Sequence, residues 1–564
     1  MNLLPLALLL AGLSVPPRDA QAQVPAPGET SSLSEAISRL QANDVEAATA
    51  ILERVVAREP GNGRAWRTLG QARMRGRNPD GAIEAWRHAL EVEPSMPMPA
   101  YGIGMAYAAK KDVEHAYEWL LKAKATGKID MTQIENAPDL GLLKNDARFS
   151  SLLPAAKDFA DPFVEPVKII REWDGEASND QFGWIARNIG DVDGDGVNDV
   201  VISAPTKDVA GKNAGRVYVY STKSGKLLWS ADGKPGDQLG NGIEAAGDTN
   251  HDGIPDVIAG APGGGYAKVY SGRDGRVLLT LTAENKNDQF GQHADGVGDV
   301  DGDGFADVIV GAPGNNAGGA GAGRAYVYSG RTGSVLLALT GERAGDGFGA
   351  AVAGFSDKTN RFLLVGAPGA GARKSGRVFV YRGLSAKPAF VIDSDETGGA
   401  LGGMFLSVPG DVDGDGIPDV YASDWNNNAK GPSTGRVYVY SGRDGKPLLT
   451  LTGETAGEGF GTSPSVAGDV DGDGHADLIV GAWQYSGAAM GAGRAYLYSG
   501  RDGHLMKTFT CRTPGDAFGF DAVTLGDVDG DGTADFLITS GWSGIHGFHS
   551  GRVFVVSSGV KRAP

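Results

Sequence analysis

From residue 167 onward one pattern recurs seven times, at a spacing of roughly 50 to 60 residues. Each copy opens with Phe-Gly or a variant, at Phe182-Gly183, Leu239-Gly240, Phe290-Gly291, Phe348-Gly349, Leu401-Gly402, Phe460-Gly461 and Phe518-Gly519. An acidic loop follows in most copies, then an apolar run such as 307–313 and an alternating segment such as 324–328. A Gly-containing turn and a last segment such as 278–281 complete the unit. Period-two alternation between such turns specifies antiparallel strands, and four strands per copy make the blade of a propeller. The last copy stops after its third strand at 552–556, while 167–173 has the pattern of a fourth strand and no blade of its own. We expect 167–173 to complete the seventh blade and close a ring spanning 167–564, so that no half-finished edge is exposed.

The segment 30–157 repeats differently. Ala48, Ala82 and Ala116 are 34 residues apart, as are Gly70 and Gly104, and Pro60 and Pro94. In the middle copy Trp66, Leu69, Gly70, Ala82, Trp86, Ala89 and Pro94 resemble the tetratricopeptide pattern at each of those positions. Small Ala and Gly sites let two helices approach closely, and Pro94 stops the second from continuing. The resemblance implies three helical hairpins, the first degenerate at Glu35-Ala36, then a capping region from about 131 to 157. It also implies a peptide partner on the concave face, with a plain spacer as the other reading. Residues 158–166, with two prolines, read as a linker.

Composition narrows the function. Glycine is abundant (88 of 564) beside 41% hydrophobic residues, which fits many turns between short buried strands. A net charge of −17 repels nucleic acid and anionic lipid. Residues 1–22 read as an export signal: 3–15 is almost wholly apolar, and Ala20-Gln21-Ala22 is a small-x-small cleavage site. No other stretch is long and apolar enough to span a bilayer. Cys511 is the single cysteine, so metal ions rather than intramolecular disulfides are the staples open to such a chain.

Six copies carry a nine-residue loop whose positions 1, 3, 5 and 9 offer side-chain oxygens and whose position 7 offers a carbonyl. In blade one these are Asp191, Asp193, Asp195, Asp199 and Val197; in blade two Asp248, Asn250, Asp252, Asp256 and Ile254. Blade three has Asp299, Asp301, Asp303, Asp307 and Phe305, and blade five Asp411, Asp413, Asp415, Asp419 and Ile417. Blade six has Asp469, Asp471, Asp473, Asp477 and His475, and blade seven Asp527, Asp529, Asp531, Asp535 and Thr533. Hard oxygen donors at this density suit Ca²⁺, which takes about 6–8 ligands. Two like charges about 4 Å apart repel by about 4 kcal/mol near a protein surface, so a loop of four carboxylates favours a bound cation. Every loop has four except the second, with three; these 23 exceed the net −17, and about six structural Ca²⁺ would relieve most of it. Position 12 is apolar, Ile202 in blade one, which rules out an EF-hand. Blade four has Phe362 at the ninth position and no site, and Lys358 or Arg361 is expected to offset the missing ion.

The Phe-Gly openings, the Gly-Ala-Pro tags at 311–313 and 366–368 and the intervening Asp loops resemble the FG-GAP repeats of the integrin α-subunit propeller. The resemblance implies that the metal loops join strands one and two at the bottom of the ring. It also implies that the Gly-Ala-Pro segments lead to a top face where ligands bind. There the tag gives way to Trp425, Trp483 and Trp542, with Tyr485, His546 and His549 nearby. These six residues form a candidate aromatic patch for a protein or glycan ligand, the other reading being tryptophans that plug gaps between blades. An acid two residues before the Phe (Asp180, Asp288) and a base opening the third strand (Arg216, Arg324) recur, and we expect them to pair. None of the eight histidines falls in a zinc or nucleophile motif, so the chain reads as a binding and adhesion module, not an enzyme. The alternative is a subunit of an exported hydrolase acting on polysaccharide or phospholipid.

Overall fold

Polar side chains start five of the helices in the first unit. Ser32, Asp44, Asn62, Asn78 and Asp112 each accept a backbone N–H from the first turn that follows. The computed structural model describes residues 32–137, 140–395 and 399–562, so the expected export signal at 1–22 lies outside the described residues. The chain divides into two compact units, 1–161 and 162–564.

In the first unit, α1 (Leu33–Gln41) and α2 (Val45–Arg58), α3 (Gly63–Arg75) and α4 (Pro79–Val92), and α5 (Pro97–Ala109) and α6 (Val113–Ala125) make three hairpins. The glycine pattern explains their approach. A Cβ on Gly70 would collide with the indole of Trp86, which is itself buried and donates from Nε1 to the Arg67 carbonyl. Short helical turns at Thr132–Glu135 and Phe149–Ser151 follow, and Leu143 and Leu152 cover the end of the stack.

The second unit holds seven antiparallel sheets. The first blade is typical, with strands Ala186–Gly190, Asp199–Ala204, Arg216–Tyr220 and Leu227–Asp232 running from the centre outward. The second strand is buried at every position, which is why it reads as a continuous apolar run. The opening Phe or Leu of each copy packs between blades; Phe182, Leu239, Phe290, Phe348, Leu401, Phe460 and Phe518 are all buried. The helical repeats and the seven-bladed propeller expected from the sequence are both present.

The ring closes through strand Ile169–Asp174, which pairs antiparallel with Arg552–Ser557, placing Trp173 opposite Val553. A second contact was not expected. Residues 162–165 lie along the outer strand of blade six: Val164 N–H donates to the Thr510 carbonyl (2.9 Å) and Arg512 N–H to the Pro162 carbonyl (2.7 Å). The Glu165 carboxylate accepts from Thr510 N–H at 2.8 Å and from the hydroxyls of Thr508 and Thr510. Phe163 is buried with its ring centroid 5.1 Å from Phe518 and 5.4 Å from Phe554. The second half of the expected linker 158–166 is therefore part of the propeller.

Blade six departs from the four-strand pattern: its sheet has three strands, Leu478–Ala482, Arg494–Tyr498 and Leu505–Thr510. Pro464 has no N–H to give, and Ser465 takes φ +62. Val466 instead accepts a backbone bond from Thr524 of blade seven.

Candidate metal loops and an aromatic cluster

Each inner strand runs between two functional ends. In blade one it follows Phe182-Gly183-Trp184 and leads into the loop that begins at Asp191, so the acidic loops and the Phe-Gly turns lie at opposite ends of the same strands.

The loops are held by their own carboxylates. Asp191 Oδ1 accepts from Gly194 N–H (2.7 Å) and Asp195 N–H (3.1 Å), and Oδ2 from Gly196 N–H (2.8 Å). Gly194 and Gly196 take φ +79 and +87, which turns the chain tightly enough for those bonds. Position 5 accepts the N–H of position 7 in all six loops, at Val197, Ile254, Phe305, Ile417, His475 and Thr533. Position 9 locks the loop to the blade. Asp199 Oδ2 accepts from Val192 N–H at 2.9 Å, and Oδ1 from Thr222 N–H at 3.1 Å, in the turn between the third and outer strands. Asp256, Asp307, Asp419 and Asp477 repeat both contacts. Asp535 makes the first contact, from Val528, but its Oδ1 has no partner.

Carboxylates converge in five loops. Oxygens of Asp191, Asp193 and Asp199 lie within 4.8 Å of one another, as do those of Asp411, Asp413 and Asp419, of Asp469, Asp471 and Asp477, and of Asp527, Asp529 and Asp535. In blade three the converging trio is Asp299, Asp301 and Asp303. Blade two contributes Asp248, Asp252 and Asp256 with Asn250, whose buried Oδ1 has no hydrogen-bond partner. An all-oxygen donor set of this kind, with an orphaned buried amide oxygen, fits a hard cation. Burial pushes the position-9 carboxyls of Asp199, Asp307, Asp419, Asp477 and Asp535 up to about 6, despite the N–H bonds that favour their charged form.

Blade four fills the same place with an aromatic ring. Phe362 is fully buried, with the Arg382 guanidinium 4.5 Å from its centroid. Arg382 also donates to the Gly442 and Arg443 carbonyls of blade five. Arg382, a cation that sequence reasoning did not single out, thus stands at this place in blade four.

At the other end, Trp483 and Trp542 meet with centroids 4.9 Å apart, and Phe520 lies 4.8 Å from Trp542. Trp184 (4.9 Å) and Phe405 (5.8 Å) also pack on Phe520. Trp425 does not join this cluster: it is buried, 7% exposed, and Trp542 is 9% exposed, so the expectation of three displayed tryptophans is corrected to one, half-buried Trp483. The cause is local. Phe520 and Phe405, which follow the Phe-Gly and Leu-Gly tags of their copies, cover Trp542. Tyr485 lies half-buried under the Arg494 guanidinium, 3.8 Å from its ring. His546 is exposed, 3.8 Å from Asp174, and His549 stacks on Phe548 at 3.6 Å, with burial pushing its pKa down to about 3. Sequence reasoning missed Trp184, Phe405 and Phe520, although Trp184 and Phe520 sit at the same offset from their tags.

Between the two ends, Arg187 on the inner strand of blade one bonds Glu244 of blade two (2.5 Å) and the fully buried Asp521 of blade seven. In blades one and four the recurrent bases pair elsewhere than with the acids before the Phe. Arg216 and Arg377 bond acids at the end of their outer strands, Asp232 and Asp393. The acids before the Phe close turns, Asp180 on Ala177 N–H and Asp288 on Asn285 N–H.

The FG-GAP repeat family matches residues 182–220, 241–279, 292–328 and 520–556, and the FG-GAP-like repeat family matches 411–480. The tetratricopeptide repeat family matches 33–86 and 67–128. Among curated proteins the chain is similar to Integrin alpha-PS5 of Drosophila melanogaster, 31% identical over 188 residues covering 30% of this chain and 18% of that protein. It is likewise 31% identical to Integrin alpha-4 of Xenopus laevis over 261 residues, 42% of this chain and 24% of that one. It matches Integrin alpha-2 of Bos taurus at 31% over 167 residues, 26% and 14%. The chain thus spans a quarter or less of the length of these relatives. It is an FG-GAP-repeat β-propeller protein. More particularly, its propeller is integrin-α-like and is preceded by tetratricopeptide repeats.

Proposed function

We propose that this protein is an exported, calcium-binding propeller that acts as an adhesion or recognition module, with the helical repeats as a second interaction surface for a peptide. The observation that carries the reading is the convergence of three aspartates within 4.8 Å in five separate loops at one end of the ring. Positions 1, 3, 5 and 9 of each loop, with the carbonyl of position 7, would hold the ion. A bound Ca²⁺ neutralises carboxylates that otherwise repel one another, and so fixes the end of the ring from which the inner strands rise. Export rests on residues 1–22. Among the described residues no helix is long and apolar enough to cross a membrane.

The ligand surface falls to the opposite end. Trp483, Tyr485 and His546 are half-buried or exposed there, and Trp483 Nε1 has no acceptor within the protein. The exposed part of this half-buried indole suits a protein side chain or a sugar ring, while its Nε1 is buried and turned from solvent. Two measurements test the reading. Metal analysis after calcium saturation should find six ions per chain, and two or fewer would overturn the loop assignment. Glycan arrays and binding assays should show calcium-dependent capture without turnover, whereas hydrolysis of polysaccharide or phospholipid by the purified protein would replace the binding role with an enzymatic one.

A further inference from the structure

Closing the ring with a strand from the other side of the sequence changes the chemistry of one loop. In blades one, two, five and six a basic residue from the turn between the third and outer strands leans on position 5. Lys223 Nζ donates to the Asp195 carbonyl (2.6 Å), and Arg273, Arg443 and Arg501 approach the carboxylates of Asp252 (3.6 Å), Asp415 (2.5 Å) and Asp473 (4.0 Å). None of these four is placed between two loop carboxylates.

Blade seven has no such turn, because its outer strand is Ile169–Asp174. Lys168, immediately before that strand, stands in its place. Its Nζ lies 2.6 Å from Asp529 Oδ2 and 2.7 Å from Asp531 Oδ2, bridging positions 3 and 5. Asp529 is one of the three carboxylates that converge in this loop. The backbone of Lys168 is fixed as well, since its carbonyl accepts from Ser557 N–H at 3.0 Å. The missing turn has a second effect: Asp535 Oδ1, which other blades satisfy from that turn, is left without a partner and free to ligate.

We propose that Lys168 is a built-in competitor for the blade-seven loop, so that this loop takes calcium last and releases it first. The proposal rests on the calcium reading above. A tethered ammonium is present at high effective concentration whatever the solution holds. Calcium, with twice the charge, displaces it only when its own concentration is high enough. The residue that sets the affinity thus belongs to the segment that closes the ring, and filling the loop frees Lys168 from both carboxylates.

The test is a calcium titration of the full chain followed by native mass spectrometry. One binding step assigned to blade seven should be about three- to tenfold weaker than the steps of loops one, three, five and six, the range an exposed ammonium bridging two carboxylates supplies. Asp527→Ala should abolish that step and leave the others. Lys168→Met, or Lys168→Gln if the first variant folds poorly by circular dichroism, should tighten the step into the main class. Loop two, with Asn250 for a carboxylate, should be unaffected by either Lys168 variant. Equal affinities in the wild-type chain, or a blade-seven step within twofold of wild type in both Lys168 variants, would overturn the proposal while leaving the calcium reading intact. A chain that binds no calcium at all would remove both.

Discussion

The two ends of the inner strands obey different rules. At the loop end six of seven copies repeat one pattern of oxygens and N–H bonds, with Asn250 and His251 in blade two and the missing Asp535 Oδ1 contact in blade seven as the departures, and blade four alone puts Phe362 and Arg382 there instead. At the Phe-Gly end the copies diverge: Trp184, Phe405, Phe520, Trp483 and Trp542 come from four blades and meet in one unrepeated cluster. Repetition around a ring gives every blade the same support, so it serves stability. A feature built once, where copies differ, is what can recognise one ligand.

The largest effect should come from stripping the loop end. A ligand held at a hundred times its dissociation constant stabilises by about 2.7 kcal/mol per site, and six such sites exceed the whole stability of an ordinary domain. Chelation of the calcium-loaded protein should therefore lower its melting temperature by about 15 °C or more, read by calorimetry. A chelated chain that melts within about 2 °C of the loaded one would show that the repeated end does not depend on metal.

The other end should behave as core, in part. Trp542 is 9% exposed and touches Trp483, Phe520 and Trp184. Trp542→Ala should cost about 3–5 kcal/mol in denaturant unfolding. A loss under about 1 kcal/mol would mean that the cluster is loosely packed and that its tryptophans are surface groups after all.

A smaller effect sharpens the comparison through pH. The position-9 carboxyls sit at about 6 in the metal-free protein, above an ordinary aspartate, because they are buried. A carboxyl whose folded pKa is raised holds its proton more firmly folded than unfolded. That contribution to stability is fully present below the unfolded value near 4 and is lost as pH rises through about 6. Calcium needs the ionised form, so the two states respond oppositely. The gain in melting temperature on adding calcium should shrink by several degrees between pH 7 and pH 5. A gain that is constant across this range would exclude the position-9 aspartates as ligands.

How much of this was legible in the sequence follows from what repeats. The Asp spacing and the strand alternation are local and recur, so blade number, the gathering of carboxylates in the loops and closure by 167–173 could be read from residues alone. Pro464 is also visible, and it is the reason blade six lacks a regular inner strand. Contacts that join distant copies were not legible. Phe163 reads as one apolar residue in a linker, and only the fold brings it against Phe518 and Phe554. Arg187 gives no sign that its partners lie in blades two and seven. Trp425 and Trp483 share a loop position, yet one is buried and the other half-buried, a difference that their shared position does not announce.

Trp483 supplies the finest test of the contrast between the ends. It packs on Trp542 and Phe520, but it remains half-buried, and its Nε1 has no acceptor. Gly459 crowds the same edge of the ring, so the indole is held in place rather than free to turn away. Removing a half-buried ring forfeits less apolar burial than removing Trp542, and Trp483→Ala should cost about 1–2 kcal/mol in stability. If the unrepeated end binds ligand, the same change should weaken capture by about 2 kcal/mol, roughly thirtyfold. Trp483→Phe should restore most of the stability but not the capture, because the smaller ring offers a ligand less exposed aromatic surface than the indole. The two measurements then separate. Stability and capture rescued together by Phe would reduce Trp483 to a packing residue, whereas stability rescued alone would assign the exposed indole surface to the ligand.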